Sequence, residues 1–171
     1  HMTELITGAP AFVLMDGKFI GKTAHPCEPE KGINALQIAT EAMQGLTWGY
    51  ATEGVTWNVG MIEGGGARNS IPGSVSFKAE IRGLKTDQAR AEGERIVSHF
   101  RRIAEKHGGQ YEGSPQLMFE GYTHEIGSGS FVDTYLGFLK QQGFTPNPFD
   151  SFGGSDANVF NSRGISTITV G

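Results

Sequence analysis

Three polar side chains stand at places in this sequence where chain structure alone does not require them. His25 ends a β-like segment, Asn69 lies in a turn-like segment before Pro72, and Arg82 closes a run of alternating apolar residues. A histidine, an amide and a guanidinium together supply hydrogen-bond donors, an acceptor and a fork that matches a carboxylate. If the fold brings them together, they would bind an anionic, peptide-like ligand.

A glycine-rich segment near the C-terminus could belong to the same site. Gly153 and Gly154 allow the backbone to approach a ligand closely. The N-terminus of the short helix predicted to follow, at 157–163, would offer unpaired N–H groups to a carboxylate. This segment therefore adds two glycines to the candidate binding residues.

A purely structural explanation is also open for each of these residues. His25 can be a solvated histidine, Asn69 a turn residue and Arg82 part of a solvated strand face. Ser155 or Asp156 can serve only to cap the helix. The residue types by themselves leave both explanations standing.

The sequence contains none of the short motifs typical of nucleotide, serine hydrolase or zinc protease sites. G-x-x-x-x-G-K-[ST], G-x-G-x-x-G, G-x-S-x-G and H-E-x-x-H are all absent. The five histidines, the single cysteine and the acidic residues show no metal-ligand spacing. The sequence thus predicts no metal site and no bound cofactor in this chain.

The composition indicates one globular domain with an appendage. Of 171 residues, 37% are apolar and 26 are glycine, a balance that excludes a disordered protein. A net charge of −4 without a Lys/Arg cluster argues against nucleic acid and anionic membranes as partners. No apolar run is long enough to span a membrane, and one cysteine without a signal peptide favours a cytoplasmic location.

The hydrophobic pattern predicts the elements that must position the candidate residues. Their order is strand, helix, strand, strand, helix, strand, which predicts an α+β, ferredoxin-like βαββαβ sandwich whose sheet has one uncovered face. An Asp16-Gly17 pair also indicates a hairpin turn within the first strand segment. The predicted elements are strands 11–15 and 18–24, a helix from Lys31 to Gly45 or Gly49, antiparallel strands 55–61 and 75–81, a helix 86–107 and a strand 110–119.

The pattern changes after residue 119. A helix from Phe131 that Gly143 ends, a loop with Pro146 and Pro148, a short helix 157–163 and a β-like run 165–170 follow. Such strands normally lie inside a larger sheet that helices cover. We therefore expect an α/β piece that exposes apolar surface at Phe131, Tyr135 and Phe138.

Three segments resemble the lid, or dimerisation, domain of M20 family metallopeptidases. They are Gly21 to Ala35, Gly64 to Gly73 and Glu80-Ile81-Arg82, while Gly153 to Thr167 resembles the part of the catalytic domain that follows the lid. Within the family the chain is most similar to peptidase T-like tripeptidases. The resemblance implies a tag scar (His1-Met2) and linker at 1–5, a lid domain at 6–119 and a catalytic-domain remnant at 120–171.

The resemblance also implies roles for the candidate residues. His25 matches a catalytic histidine that reaches a neighbouring active site across the dimer and polarises the scissile carbonyl. Asn69 and Arg82 match residues that bind the substrate's carboxylate or backbone, and Gly153 and Gly154 match a loop that lines the cleft. A short peptide substrate and a homodimer that forms through an edge strand and a helix are the implied partners.

The sequence departs from the family in its metal ligands. The H-x-D motif, the bridging Asp, the E-E pair, the further acid and the late histidine that bind two zinc ions in M20 enzymes are absent here. We therefore expect the two zinc ions in a longer parent protein and expect this chain alone to be inactive. Two alternatives remain open, a stand-alone ferredoxin-like module that binds small molecules and a purely structural dimerisation element.

Overall fold

The computed structural model describes residues 3–171; His1 and Met2, interpreted as a tag scar, lie outside the described residues. The short segment Pro29–Lys31 forms a 3-10 turn. The strands and α-helices, in chain order, are β1 Glu4–Ala9, β2 Ala11–Ile20, α1 Ala35–Gln44, β3 Gly49–Thr52, β4 Val55–Gly64, β5 Ser74–Gly83, α2 Thr86–Lys106, β6 Gln110–Gly113, β7 Gln116–Phe119, β8 Tyr122–Thr123, α3 Phe131–Gln141, β9 Asn147–Asp150, α4 Asp156–Ser162 and β10 Thr169–Val170.

The larger sheet has the strand order β3-β4-β5-β2-β6, and β7 also pairs with β2. All of these pairings are antiparallel. Helices α1 and α2 pack on one face of the sheet and leave the other face open. The predicted α+β, ferredoxin-like sandwich with an α/β piece after it is confirmed. Four side chains of β5 alternate into the core beneath the helices, namely Val75, Phe77, Ala79 and Ile81.

The predicted hairpin at Asp16-Gly17 is wrong. Strand β2 runs without a turn and pairs with β5 from Ala11, opposite Gly83, to Ile20, opposite Ser74. Glycine is needed at position 17 for close packing, since an added Cβ would lie 2.5 Å from the Phe77 ring and 2.6 Å from the Tyr111 hydroxyl. The sequence signal was therefore correct about glycine but not about the reason for it.

Several element boundaries also differ from the prediction. Helix α1 begins at Ala35 instead of Lys31, because the Asn34 side chain caps it by accepting hydrogen bonds from the N–H groups of Leu36 and Gln37. Strand β3 was not predicted, and the single strand expected at 110–119 is divided into β6 and β7. Helix α2 and its end near Gly108, a glycine with φ of 73°, are as predicted.

A smaller sheet is built from both ends of the chain. Strand β1 lies between β10 and β8 and also pairs in parallel with β9. The start of the first domain predicted at Ile6 thus falls inside β1, whose partners come from the C-terminal segment. The loop predicted around Pro146 and Pro148 contains β9, and the β-like run 165–170 is a strand only at Thr169–Val170. Helix α3 packs against β1 through a small core of Leu5, Val132, Leu136 and Leu139.

Within residues 3–171, no helix has the length and apolar character needed to cross a membrane.

Candidate functional site

A row of five side chains crosses the open face of the larger sheet at one end. Tyr50 pairs with Thr56, Thr56 with Arg82, Arg82 with Phe12 and Phe12 with Phe119. Directly opposed residues of antiparallel strands point to the same face. Because the neighbouring Trp57 and Ile81 are buried under the helices, the five side chains of this row lie on the uncovered face.

Arg82 is the charged centre of this row. Its Nε and Nη2 atoms donate to the Glu80 carboxylate at 2.9 and 3.2 Å, and Nη1 donates to the Phe152 carbonyl at 3.3 Å. The guanidinium carbon lies 4.8 Å from the centre of the Phe12 ring, within cation–π range. These contacts fix the guanidinium and use three of its five N–H donors, so among the described residues two donors remain for a ligand. An incoming carboxylate would share Arg82 with Glu80.

The predicted glycines lie beside Arg82. The loop that contains them begins at Ser151, whose hydroxyl accepts a hydrogen bond from the Gly153 N–H at 2.9 Å. An added Cβ on Gly154 would meet the Phe119 ring at 2.6 Å, so the loop packs directly on the open face. Gly154 therefore has a packing reason to be glycine, whereas Gly153 has room around it.

Ser155 serves as the cap of α4. Its side chain accepts from the Ala157 N–H, and the Asn158 side chain accepts from the Ser155 N–H to complete a capping box. Asn158 is buried and also donates to the carbonyls of Pro10 and Glu120, which ties α4 to the junction between the two sheets. The helix start thus holds the glycine loop in place.

His25 and Asn69 lie together at the other end of the sheet. The Ile71 N–H donates to the Ala24 carbonyl at 2.9 Å, which holds the segment with Asn69 against the segment with His25. Both side chains are exposed. The Cys27 N–H donates to His25 Nδ1 at 3.2 Å, so a neutral His25 ring carries its proton on Nε2 and can donate from there.

The five predicted residues therefore form two groups. Strand β5 begins next to the Asn69 loop and carries Arg82 near its end, and the eight residue steps from Ser74 to Arg82 span about 26 Å at the usual rise of a strand. One chain brings Arg82 together with Gly153 and Gly154, and His25 together with Asn69. It does not bring the two groups into one site.

Four residues at the Arg82 end were missed by sequence analysis: Tyr50, Glu80, Phe12 and Phe152. Glu80 could have been found, because it lies two residues before Arg82 and so shares its strand face. Tyr50 lies on a strand that the pattern did not predict. Phe12 and Phe152 meet Arg82 only through tertiary contacts.

Within residues 3–171, no three His, Cys, Asp or Glu side chains come together in a way that could hold a metal ion. Two of the acidic side chains are instead paired with arginine, Glu80 with Arg82 and Glu92 with Arg95.

A family model described as the peptidase dimerisation domain matches residues 12–112. The chain belongs to this M20 family of peptidase dimerisation domains. It is 32% identical over 168 residues to the uncharacterized Bacillus subtilis protein YqjE, covering 98% of this chain and 45% of that protein.

Solved structures of peptidases have the same fold. A tripeptidase from Staphylococcus aureus matches with a TM-score of 0.94 and 28% identity, over 99% of this chain and 45% of that chain. The aminopeptidase PepT from Bacillus cereus matches with a TM-score of 0.92 and 30% identity, over the same 99% and 45%. A dinuclear metal-binding M20 peptidase from Bacillus subtilis shares the fold at 15% identity and a TM-score of 0.74, over 95% of this chain and 42% of that chain. The chain thus spans less than half the length of these relatives.

Proposed function

We propose that this chain is the dimerisation portion, with an adjoining part of the catalytic domain, of a longer di-zinc M20 aminopeptidase that cleaves short peptides. The chain spans 45% of the tripeptidase and of the aminopeptidase that it resembles. The zinc ligands would lie in the part of the longer protein that this chain does not span. Zinc would supply an activated water there, and this chain would supply substrate binding.

The division into two parts follows the sheets. Residues 11–119 would form the dimerisation domain, and residues 4–9 with 120–171 would belong to the catalytic domain. This proposal is supported by the pairing of β1 with β8, β9 and β10, and it moves the boundary from Ile6 to Pro10.

The observation that carries the proposal is the separation of the two groups of site residues. His25 and Asn69 lie about 26 Å from Arg82 along β5, further than a short peptide substrate would need within one site. A complete site therefore requires His25 and Asn69 from a second copy of the chain. The larger sheet has a free edge through which a second copy could pair.

That free edge belongs to β4. Strand β3 pairs with β4 only as far as Trp57. Among the described residues, no strand therefore pairs with the outer side of segment 58–64. Met61 and Ile62 are 62% and 53% exposed on this segment. An unpaired edge with exposed apolar side chains is suited to pair with another strand.

Antiparallel pairing of 58–64 with its copy, centred on Met61, would bring the two groups together. Gly64 of one copy would lie opposite Asn58 of the other, two residues from Thr56 in the Arg82 row. The Asn69 loop, which follows Gly64, would then extend toward Arg82 of the other copy. His25 would donate from Nε2 to the scissile carbonyl while Arg82 binds the peptide's carboxylate.

The proposal is tested by the oligomeric state of the chain. In the proposed dimer the two Met61 side chains oppose each other, so Met61→Lys places two like charges in contact and should give a monomer. Sedimentation velocity on the wild type, Met61→Lys and the control Met118→Lys, an exposed methionine on β7, measures this directly. A monomeric wild type, or a dimer that Met61→Lys leaves intact, contradicts pairing through β4.

A further inference from the structure

A cavity of about 700 Å³ lies at the end of the open face that carries the Asn69 loop. The glycine-rich loop after β4 bounds it on one side, and the segment that leads into β5 bounds it on the other. We refer to it as the loop cavity. Its walls include the glycines at 64–66, the hydroxyl groups of Thr23, Ser70, Ser74 and Ser76, and the carboxylate of Glu63.

Backbone contacts hold the walls of the loop cavity in place. The Ile71 N–H donates to the Ala24 carbonyl at 2.9 Å, which ties the segment before β5 to the segment after β2. A Cβ on Gly73 would collide with the Thr23 hydroxyl oxygen, and Gly65 has a φ of 83°, a conformation that favours glycine. Glycine therefore shapes these walls and leaves the space between them free of side chains.

Glu63 is the one charged side chain among the described residues that line the loop cavity. It lies on the open face, because it pairs with Ser76, which stands between two buried residues of β5. Among residues 3–171, the four acids that form ion pairs do not include Glu63, although Lys18 and Lys78 line the hollow next to it. A carboxylate surrounded by hydroxyl oxygens suits a positively charged group with several N–H donors.

The loop cavity lies next to His25. Thr23 forms part of its wall, and His25 follows two residues further along the same segment. In the proposed function His25 donates to the carbonyl of the bond that is cut. For an aminopeptidase this carbonyl belongs to the first residue of the peptide, whose ammonium nitrogen is only two bonds from the carbonyl carbon. The group that would enter the loop cavity is therefore the free amino end of the substrate.

We propose that the loop cavity binds the N-terminal ammonium group of the substrate peptide and that Glu63 supplies the opposite charge. This rests on the proposed function, in which His25 binds the first carbonyl and Arg82 of a second copy binds the C-terminal carboxylate. One copy then binds the amino end of the peptide, and the other binds the carboxyl end. Glu63 is a substrate-binding residue that favours a free N-terminus over an acylated one.

The test uses an amino end that lacks a carboxylate and so does not depend on Arg82. Alanine amide carries the ammonium group and the first carbonyl, and N-acetylalanine amide keeps the carbonyl without the charge. Amide resonances of the ¹⁵N-labelled 171-residue chain, titrated at constant ionic strength, report each dissociation constant. We expect alanine amide to shift the resonances of residues 63–66 and 74–76 saturably and N-acetylalanine amide to leave them unchanged.

Variants with matched controls assign the binding to Glu63. Glu63→Gln keeps the size of the side chain and removes its charge, so it should weaken alanine amide binding about threefold, the order expected for an exposed ion pair. Glu112→Gln removes an exposed charge on the same face outside the loop cavity and should leave the affinity unchanged. Sedimentation velocity on Glu63→Gln checks that its oligomeric state is that of the wild type, because Glu63 lies in the edge segment 58–64. Arg82→Ala should weaken binding of the tripeptide Ala-Ala-Gly, which carries both charged ends, and leave alanine amide binding unchanged.

The outcomes distinguish this inference from the proposed function. Saturable binding of alanine amide that Glu63→Gln weakens and Glu112→Gln does not supports the inference. Absence of alanine amide binding, binding that Glu63→Gln leaves intact, or equal binding of N-acetylalanine amide overturns it. None of these three results changes the carboxylate role of Arg82 or the dimer through β4, which Ala-Ala-Gly and Met61→Lys test separately. A monomeric wild type that still binds alanine amide through Glu63 contradicts the proposed dimer and supports the ammonium site.

Discussion

Replacement of Gly17 by alanine should destabilise the protein, because the residue lies in the middle of β2 against two buried rings. The new Cβ would lie 2.5 Å from the Phe77 ring and 2.6 Å from the Tyr111 hydroxyl. Ordinary carbon contacts begin near 3.5 Å, so one ring or the strand must move by about 1 Å. Overpacking of this kind costs about 1–3 kcal/mol.

An opposing effect comes from the unfolded state. Alanine is less flexible than glycine there, which stabilises the folded protein by about 0.4–1 kcal/mol. At the middle of both ranges the two effects together give a net loss of about 1.3 kcal/mol in the free energy of unfolding for Gly17→Ala. Gly60→Ala, on strand β4 of the same sheet, should only increase the free energy of unfolding, by about 0.4–1 kcal/mol. The nearest atom to its added Cβ is 4.0 Å away, so nothing is overpacked.

Urea denaturation followed by tryptophan fluorescence measures both variants at one protein concentration. A double-mutant cycle with Tyr111→Phe isolates the contact with the hydroxyl, and we expect a coupling energy of about 0.5–1 kcal/mol. Gly17→Ala with unchanged or increased stability would refute the packing argument. A zero coupling energy would assign the whole cost to Phe77.

Three further predictions concern other parts of the structure. The Tyr111 hydroxyl is buried with no hydrogen-bond partner among residues 3–171, and burial raises the pKa of Tyr111 to about 12 from 10.0. Tyr111→Phe should therefore add about 1 kcal/mol of stability at neutral pH. Wild-type stability should also fall between pH 10 and 12, because the tyrosine ionises first in the unfolded chain, and Tyr111→Phe should abolish that loss. Denaturation measured at each pH checks this, and a pH profile that is the same in both proteins contradicts it. Asn158→Ala should cost about 2 kcal/mol in thermal denaturation, because the buried Pro10 carbonyl and the partly buried Glu120 carbonyl lose their donor; a cost within error of zero would show that other groups satisfy them. Glu80→Gln should tighten binding of Ala-Ala-Gly by about threefold, because the Glu80 carboxylate competes for Arg82; weaker binding would instead make Glu80 a positioning residue.

The hydrophobic pattern predicted most of the larger sheet and both of its helices. Strand β5 and helix α2 bury many side chains at regular spacing, so their periods of two and of 3.6 residues are visible in the sequence. Strand β3 could not be found this way, since Tyr50 and its neighbours are exposed and show no alternation. Strand β1 was missed because its partners are more than a hundred residues away in the chain.

The candidate residues were found by type and by a resemblance to a family, but their grouping was not. Nothing local to Arg82 indicates that Phe152 accepts its hydrogen bond, a contact between residues 70 positions apart. The distance between His25 and Arg82 likewise depends on the fold, because the two residues lie at opposite ends of β5. The possibility of a site shared by two copies of the chain arises only from that distance.

The sequence by itself determined the α+β class, the covered and open faces of the sheet and the types of side chain available for binding a carboxylate. These properties depend on side-chain period and chemistry, which are local. The tertiary structure alone decided that Gly17 packs instead of turning, and that the site residues fall into two groups at opposite ends of β5. Both depend on strand order and register, which arise from contacts between distant segments and therefore leave no periodic signal in the chain.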